Sequence, residues 1–460
     1  MADVVVVGGG SAGCVLAARL AERGRSVLLL EAGPDRRADL PEELRNGWTI
    51  EREPFDWGYQ SEPDGVHEAR PVRRKKVLGG TSWLTRFTPR GSPADYDGWA
   101  GFGVDGWAWR DVLPYFIRVE HDLDYSHEAW HGDSGPLPSV RYLDLAYLPA
   151  TEAAIRAVQD LGHPWVDDHN RPGAVGVGRM PMNTRDGRRV RTLDAYLADP
   201  PAGLAIRADS LVDVVLFDGT CARGVRLADG TEVDAGAVVL SAGVYGSPPI
   251  LLRSGVGPRG RVAEVPAVGE NLADHPGVLV DLGYDGPAAD PVLHAIATFH
   301  SSSTPADQAP DLMFWITDPS GDPVEFGIEV LLMKPRSRGS VRLRSADPRD
   351  APLIRLPNLE DPADVPRLME GYRQALRVAS LPQPGDVELE ATIRAEAYSV
   401  PHVVGTCALG AVLDAEARVH GTDGLWVVDA SIIPDALSGF THIPTVMLAE
   451  RLSETIATLT

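Results

Sequence analysis

The chain has 460 residues, 44% hydrophobic and 23% charged, with a formal net charge of −22. That length can bury a large core, in two large domains or roughly three ordinary ones. So acidic a chain argues against nucleic acid or an anionic membrane surface as partner, and solubility is the plainer reason for the charge. No apolar run approaches the ~18 residues of a membrane span. Three cysteines, Cys14, Cys221 and Cys407, are far apart and form no C-x-x-C pair. They fit free thiols in a reducing compartment, so no disulfide framework and no metal site are expected. With no leader ahead of the first strand, a cytoplasmic location is expected.

Val4 to Val7 are four β-branched residues, read as a buried strand. Gly8, Gly10 and Gly13 then fall on G-x-G-x-x-G, with Ser11 and Ala12 between the last two. The first glycine permits the strand-to-helix turn, the second leaves room for a pyrophosphate, and the third lets helix and strand pack closely. The helix is expected to run to about Glu22 and stop at Gly24, and its free N–H groups suit phosphate. A second strand over 26–30 ends at Glu31, followed by Ala32. A carboxylate there accepts hydrogen bonds from a ribose 2′-OH and repels a 2′-phosphate. Glycines also cluster in ordinary turns, but the strand before, the helix after and the acid ~20 residues on make this a dinucleotide site. Which dinucleotide stays open at this point.

Residues 32–53 read as loop and short helix, and the basic run 70–76 as a solvated edge strand. Val77-Leu78-Gly79-Gly80-Thr81-Ser82 is a second glycine-rich turn, whose amides can reach a phosphate or ribityl chain. Residues 99–120 read as a helix with Trp109, Leu113 and Phe116 on a core face. Residues 131–136 form a turn, 151–161 a helix, and 172–191 are loop-rich. Short strands are expected at 204–207, 211–217 (which includes Val212), 223–227, 231–233 and 237–240, the last running into Ser241-Ala242-Gly243. A short helix follows over 250–253. The Ala-, Pro-, Asp- and Ser-rich stretch 283–311 reads as a change of domain, 311–356 as strands, and 362–379 as a helix before a proline-rich break and another helix. From His402 come short strands, glycine turns and a long helix over 445–460. The expected fold class is α/β, a Rossmann-like domain with a second, sheet-based domain.

Most of the twelve histidines need only surface or core hydrogen bonding. His402, in Val400-Pro401-His402-Val403-Val404-Gly405-Thr406-Cys407, and His442, in Ser438-Gly439-Phe440-Thr441-His442-Ile443-Pro444-Thr445, stand beside tight turns. Spacing alone favours a structural role for both. With these segments on view, the chain resembles the glucose–methanol–choline (GMC) family of flavoprotein oxidoreductases. The resemblance spans nearly the whole length through ordered motifs. They are Gly8 to Gly13 with Glu31; Leu78 to Ser82, then Arg90-Gly91-Ser92-Pro93-Ala94-Asp95-Tyr96-Asp97; residues 246–257; Val268-Gly269-Glu270-Asn271-Leu272-Ala273-Asp274-His275; the His402 segment; Asp429-Ala430-Ser431; and the His442 segment.

The resemblance implies FAD, held non-covalently because no histidine for attachment lies between Gly79 and Arg90. It places Gly8, Gly10, Ser11, Ala12, Gly13, Glu31, Ala32, Gly79, Gly80, Thr81, Ser82, Thr85, Val212, Ala242, Gly243, Asp429, Ala430, Pro444 and Thr445 at the cofactor. It implies a discontinuous FAD-binding domain (1–140, 190–276 and 400–460) and a substrate-binding domain with cap elements (141–189 and 277–399). It sets His402 and His442 against the substrate. A neutral imidazole takes the hydroxyl proton as hydride leaves for flavin N5, and the other histidine holds the alkoxide. His402 is read as the base and His442 as its partner; the order could be reversed. The N-terminus of the last helix, with Pro444 and Thr445, would favour the anionic reduced flavin.

Thr85 stands where the family commonly has asparagine, and Trp83 and Arg86 replace smaller residues. All three are expected over the flavin or near its oxygen-reactive face, which favours a dehydrogenase over an oxidase. The chain is also short for the family, so a reduced lid and an open or differently covered pocket are expected. The expected activity is oxidation of a primary or secondary alcohol (sugar-like, amino-alcohol or small aliphatic) to an aldehyde or ketone, with oxygen or a redox partner as acceptor. The rival readings are a hydroxynitrile-lyase-type reaction with FAD structural only, and a non-catalytic or NAD-binding Rossmann protein.

Overall fold

Two seven-stranded sheets organise the chain in the computed structural model, which describes residues 1–39, 45–48 and 55–459. The valine run lies in β1 (Ala2–Val7), with all four valines buried. Branched side chains suit a strand covered on both faces. α1 (Ser11–Glu22) follows, and β2 (Val27–Leu30) pairs parallel to β1. β3 (Glu232–Leu240) pairs parallel to β1 through its second half, Val7 opposite Leu240, and antiparallel to Cys221–Leu227 through its first. Two strands were expected here, at 231–233 and 237–240. Pairing joins them, with Ala235 opposite Ala2, so the weak strand propensity of Ala235 and Gly236 is overridden.

Leu204–Arg207, β2, β1, β3, Cys221–Leu227 and Val212–Asp218 form the sheet, and Leu425–Val427 runs parallel beside β3. Gly8, Glu31, Ser241 and Val428 therefore leave the C-terminal ends of adjacent parallel strands, where open α/β sheets bind ligands. The long C-terminal helix, α2 (His442–Leu459), starts three residues before its expected first residue and packs on α1. Arg19 reaches the fully buried Glu450 at 2.9 Å, and Tyr196 donates to the same carboxylate at 2.8 Å.

The second sheet runs Tyr398–Ser399, Pro276–Asp281, Gly327–Leu332, Leu312–Thr317, His294–Phe299, Gly176–Arg179 and Trp165–Val166. Alternation sets its two faces. Leu312, Phe314 and Val330 pack in a core on which the helix Asp364–Val378 lies. Met313 and Leu331 face the other way, with Phe87 and Phe440, toward the clefts described below. Two strands sit where loop or a polar boundary was expected: Gly176–Arg179 within 172–191, and the wholly buried His294–Phe299 within 283–311. A strand buried on both faces has no alternation to read.

Three other expectations change. The helix over 99–120 is broken, into Gly98–Phe102 and Trp109–Val119, because Gly103 and Gly106 take positive φ between them. The run 70–76 is not a solvated edge. Pro71–Val72 pairs with Tyr59–Gln60, Lys75 is buried and forms a backbone bridge with Asp56, and the Arg74 guanidinium lies 5.0 Å from the Tyr245 ring centre. Cationic stems cover apolar surface readily. Residues 32–39 are irregular, and most of the remaining stretch to residue 53 lies outside the described residues.

The turn at 131–136 closes over an ion network. His131 is buried, with Nδ1 2.6 Å from Glu120 and Nε2 2.9 Å from Asp168. Arg90 pairs with Glu120 at 2.8 Å, and Arg141 with Asp122 and Asp168 at 2.8 and 2.6 Å. Asp124 also stands 3.5 Å from Arg141, so four carboxylates face two guanidiniums and one imidazole, a surplus of negative charge that favours protonated His131. Burial alone lowers the His131 pKa, but hydrogen bonds to Asp168 and Glu120 outweigh it and raise the value above 6.5. The stabilisation is complete below about 6.5 and is lost as pH rises through the raised value. The thermal midpoint is expected to fall as pH rises above about 6.5, with a shallower slope in His131→Gln. Equal slopes in the two proteins would show that His131 does not titrate in this way.

Candidate functional site

Two clefts meet beyond the parallel strand ends. The first is lined by Gly8, Gly10, Ser11 and Ala12 from the turn into α1, and by Glu31 and Ala32 beyond β2. Gly80, Thr81 and Thr85 come from the second glycine turn, with Val212, Ala242 and Gly243 beside them. Asp429, Ala430, His442 and Thr445 close it from the C-terminal side. The second cleft, about 460 Å³, contains His402 and shares Arg74, Thr81, Thr85, Pro401, Thr441 and His442 with the first. Its volume is in the usual range for a small-molecule site.

The first cleft fits a flavin dinucleotide. Gly10 caps α1 with no side-chain hydrogen bond, so the helix N–H groups are free for phosphate. The two glycine turns abut: a Cβ on Gly80 would stand 2.7 Å from the Gly10 Cα, so only bare backbone forms this wall. Nε2 of His442 is buried and has no hydrogen-bond partner among the described residues. Glu31 has a double duty. Its two oxygens accept from the Gly9 and Gly33 N–H groups, both at 2.8 Å, which ties the first glycine turn to the end of β2. A carboxylate keeps further lone pairs for a ribose hydroxyl. Burial raises the Glu31 pKa against the opposing pull of those amides.

Glu31→Gln places an NH₂ against one of the two N–H donors. FAD affinity is expected to fall roughly 10- to 100-fold, from losing a charge-assisted bond. Titration of the apoprotein with FAD reads this, and unchanged affinity would remove the role assigned to Glu31.

Gly13, Gly79, Ser82 and Pro444 do not line either cleft. They hold its walls instead. Gly79 N–H donates to the Gly9 carbonyl at 2.6 Å, Ser82 Oγ donates to the Gly79 carbonyl at 2.6 Å, and Pro444 lies in the first turn of α2. Trp83, expected over the flavin, is buried in the core, with its indole N–H on the Leu78 carbonyl at 2.8 Å and Phe55 against its ring. Arg86 lines the second cleft and not the first.

Both histidines line the second cleft, and His442 lines the first as well. His402 is half-buried. Its backbone N–H donates to Asp274 at 2.7 Å, and its Nδ1 lies 3.1 Å from Nδ1 of His275, one donating and the other accepting. That leaves Nε2 of His402 for a substrate. Removal from water, then the neighbouring His275 and Arg74, hold the His402 pKa well below 6.5. Burial pushes His442 down to about 4, so both rings are neutral at neutral pH. His442 Nδ1 lies 3.4 Å from Ser11 Oγ. Asp274, raised to about 6 by burial, also accepts from Ser399 and from the His275 N–H at 2.9 Å.

Asp274 and His275 lie inside a motif quoted for its resemblance, yet the pattern says nothing of their contact with His402. Phe440, whose ring centre is 4.3 Å from that of His402, was equally in view. Arg74 had no usable signal, because a basic run reads as surface.

The family model for GMC oxidoreductases matches residues 2–277 in its N-terminal part and 335–449 in its C-terminal part. The 5-(hydroxymethyl)furfural oxidase of Methylovorus sp. (strain MP688) is 32% identical, covering 99% of this chain and 98% of its own. Mitochondrial choline dehydrogenase of Mus musculus is 34% identical, over 98% of this chain and 89% of its own. Among solved structures, pyridoxine 4-oxidase from Mesorbium loti superposes with a TM-score of 0.89 at 29% identity, covering 99% of each chain. No helix among the described residues is long and apolar enough to cross a membrane. The chain belongs to the GMC oxidoreductase family, an enzyme with FAD as its cofactor that acts on CH–OH groups.

Proposed function

We propose that the protein oxidises a small primary or secondary alcohol to the aldehyde or ketone, with His402 as base and His442 as its partner. The observation that carries this is a pair of neutral imidazoles lining the second cleft, of which His442 also lines the dinucleotide cleft. When bound, non-covalent FAD supplies the two-electron acceptor for the hydride released from the alcohol carbon. Nε2 of His402 takes the hydroxyl proton; in this reading Nδ1 of His402 is the donor to Nδ1 of His275, which leaves Nε2 unprotonated. Nε2 of His442, orphaned in a buried setting, donates to the alkoxide as it forms. For that donation Nδ1 of His442 carries no proton and accepts from Ser11.

Relatives named for hydroxymethylfurfural, choline and pyridoxine support a small alcohol. In this reading residues 1–140, 190–276 and 400–460 hold the cofactor and the intervening segments bind substrate. Thr85 in place of asparagine at the shared wall supports a dehydrogenase. The test is anaerobic mixing of the holoenzyme with a panel of alcohols. Bleaching of the yellow flavin absorbance supports oxidation and excludes a lyase with structural FAD. Bleaching by none, together with cyanohydrin cleavage, would establish the lyase. Rapid reoxidation by air with peroxide release would replace the dehydrogenase by an oxidase.

A further inference from the structure

Arg86 stands in the second cleft without a counter-ion among the described residues. The residue is 7% exposed. Nη1 donates to the Trp48 carbonyl, and Nε has no partner. Burial and then Arg189 push its pKa down to about 9, with no carboxylate pulling the other way, so it remains charged at neutral pH. Every carboxylate lining the same cleft is engaged elsewhere. Glu62 pairs with Arg344, Asp64 with His67, Glu329 accepts from Tyr398, and Asp274 holds Ser399 and the His402 backbone. Arg70 and Arg74, in the same lining, donate to the backbone carbonyls of Ala397 and Pro401. An unpaired buried cation is expensive to keep, and it persists where a ligand supplies the missing charge.

The distance from that cation to the base is filled by rings. The Arg86 guanidinium lies 4.9 Å from the centre of Phe87, Phe87 is 6.0 Å from Phe440, and Phe440 is 4.3 Å from His402. Trp315 stands 5.1 Å from Phe87 and 5.6 Å from Phe440. The result is an aromatic floor with a fixed positive charge at one end and the imidazole at the other.

We propose that the alcohol oxidised here carries an anionic group, a carboxylate or a phosphate, remote from its hydroxyl, and that Arg86 binds this group while the substrate body lies on Phe87, Trp315 and Phe440. This rests on the alcohol-oxidation reading above. A guanidinium offers a planar fork to either anion. The chain's net charge of −22 gives an anion no long-range attraction, so selection falls to this local contact.

The holoenzyme should be compared on benzyl alcohol, 4-(hydroxymethyl)benzoate and 4-(hydroxymethyl)phenyl phosphate. The wild type is expected to favour one of the two anions over benzyl alcohol by about 50-fold in kcat/KM, mostly through KM, as for a charge-assisted pair. The favoured anion separates carboxylate from phosphate. Arg86→Met is expected to bring the anionic and neutral substrates within about threefold of each other, and Arg86→Lys to retain part of the preference. Calorimetric binding of benzoate and phenyl phosphate to the same holoproteins reads the site without turnover, and Arg86→Met is expected to abolish it. No preference in the wild type, or a preference that survives Arg86→Met, overturns the proposal. So does an equal loss on all three substrates, which would place Arg86 at the reacting atoms. If no alcohol bleaches the flavin but an anion still binds through Arg86, the anion site stands and the oxidation reading fails.

Discussion

Replacing His402 with glutamine is expected to slow flavin reduction by alcohol about 10²- to 10⁴-fold, the usual contribution of a positioned base. FAD retention is expected to hold, since His402 lines the second cleft and not the first. Glutamine keeps a polar group near His275 but cannot accept a proton from an alcohol. Anaerobic stopped-flow mixing reads the rate. The pH dependence carries a further expectation. Removal from water, His275 and Arg74 hold the His402 pKa well below 6.5, so the ring is already deprotonated near neutrality. The rate should climb with pH only below about 6.5 and stay level above it. Reduction at the wild-type rate in His402→Gln would move the base elsewhere. His442 would then be the next candidate, as its Nε2 is buried and unpaired.

Gly13→Ala is expected to damage the molecule more than any other single methyl group at the site. A Cβ there would stand 1.8 Å from the Gly8 carbonyl oxygen, and 3.4 Å from the Ser241 Cβ. The first obstacle is backbone, in a turn where Gly8 already needs a φ of 98°, so no side chain can swing aside. α1 must lift from the sheet, which takes the helix N–H groups away from the phosphate position and loosens its packing on α2. Overpacking of this kind costs about 1–3 kcal/mol, or more where the neighbour is rigid. Purified Gly13→Ala is expected to have lost most of its FAD, with a thermal midpoint lowered by roughly 5 °C. Gly98→Ala, where nothing lies within 4 Å of the new Cβ, is the control. Full FAD content in Gly13→Ala would show that helix and sheet can separate without disturbing the cofactor bed.

The features legible in the sequence are local ones. Gly8, Gly10, Gly13 and Glu31 declare themselves because one strand, one turn and one helix hold them in register. His402 and His442 stand out only through their flanking motifs; His402 lines the second cleft and His442 both. Long-range contacts left little trace. The His275 ring beside His402 depends on Pro276–Asp281 pairing with Tyr398–Ser399, and periodicity says nothing about which strands pair. His294–Phe299 is hidden by being buried on both faces. Arg74 and Lys75 look like solvent-facing cations until an aromatic neighbour and a closed wall are in place. Trp83 shows the opposite error: a large residue near a flavin loop was read as facing the cofactor, and it fills the core instead.

Ser11 and His442, 431 positions apart in sequence, touch each other, as do Arg19 and Glu450 at the same separation. During synthesis, then, the bed for the cofactor cannot be completed when β1 and α1 leave the ribosome. Leu425–Val427 must first join β3, and α2 must cover α1. Until the last helix has emerged, the glycine turns and the apolar back of α1 stay open, a surface prone to association. Capture of FAD therefore marks the moment at which early and late segments have found each other.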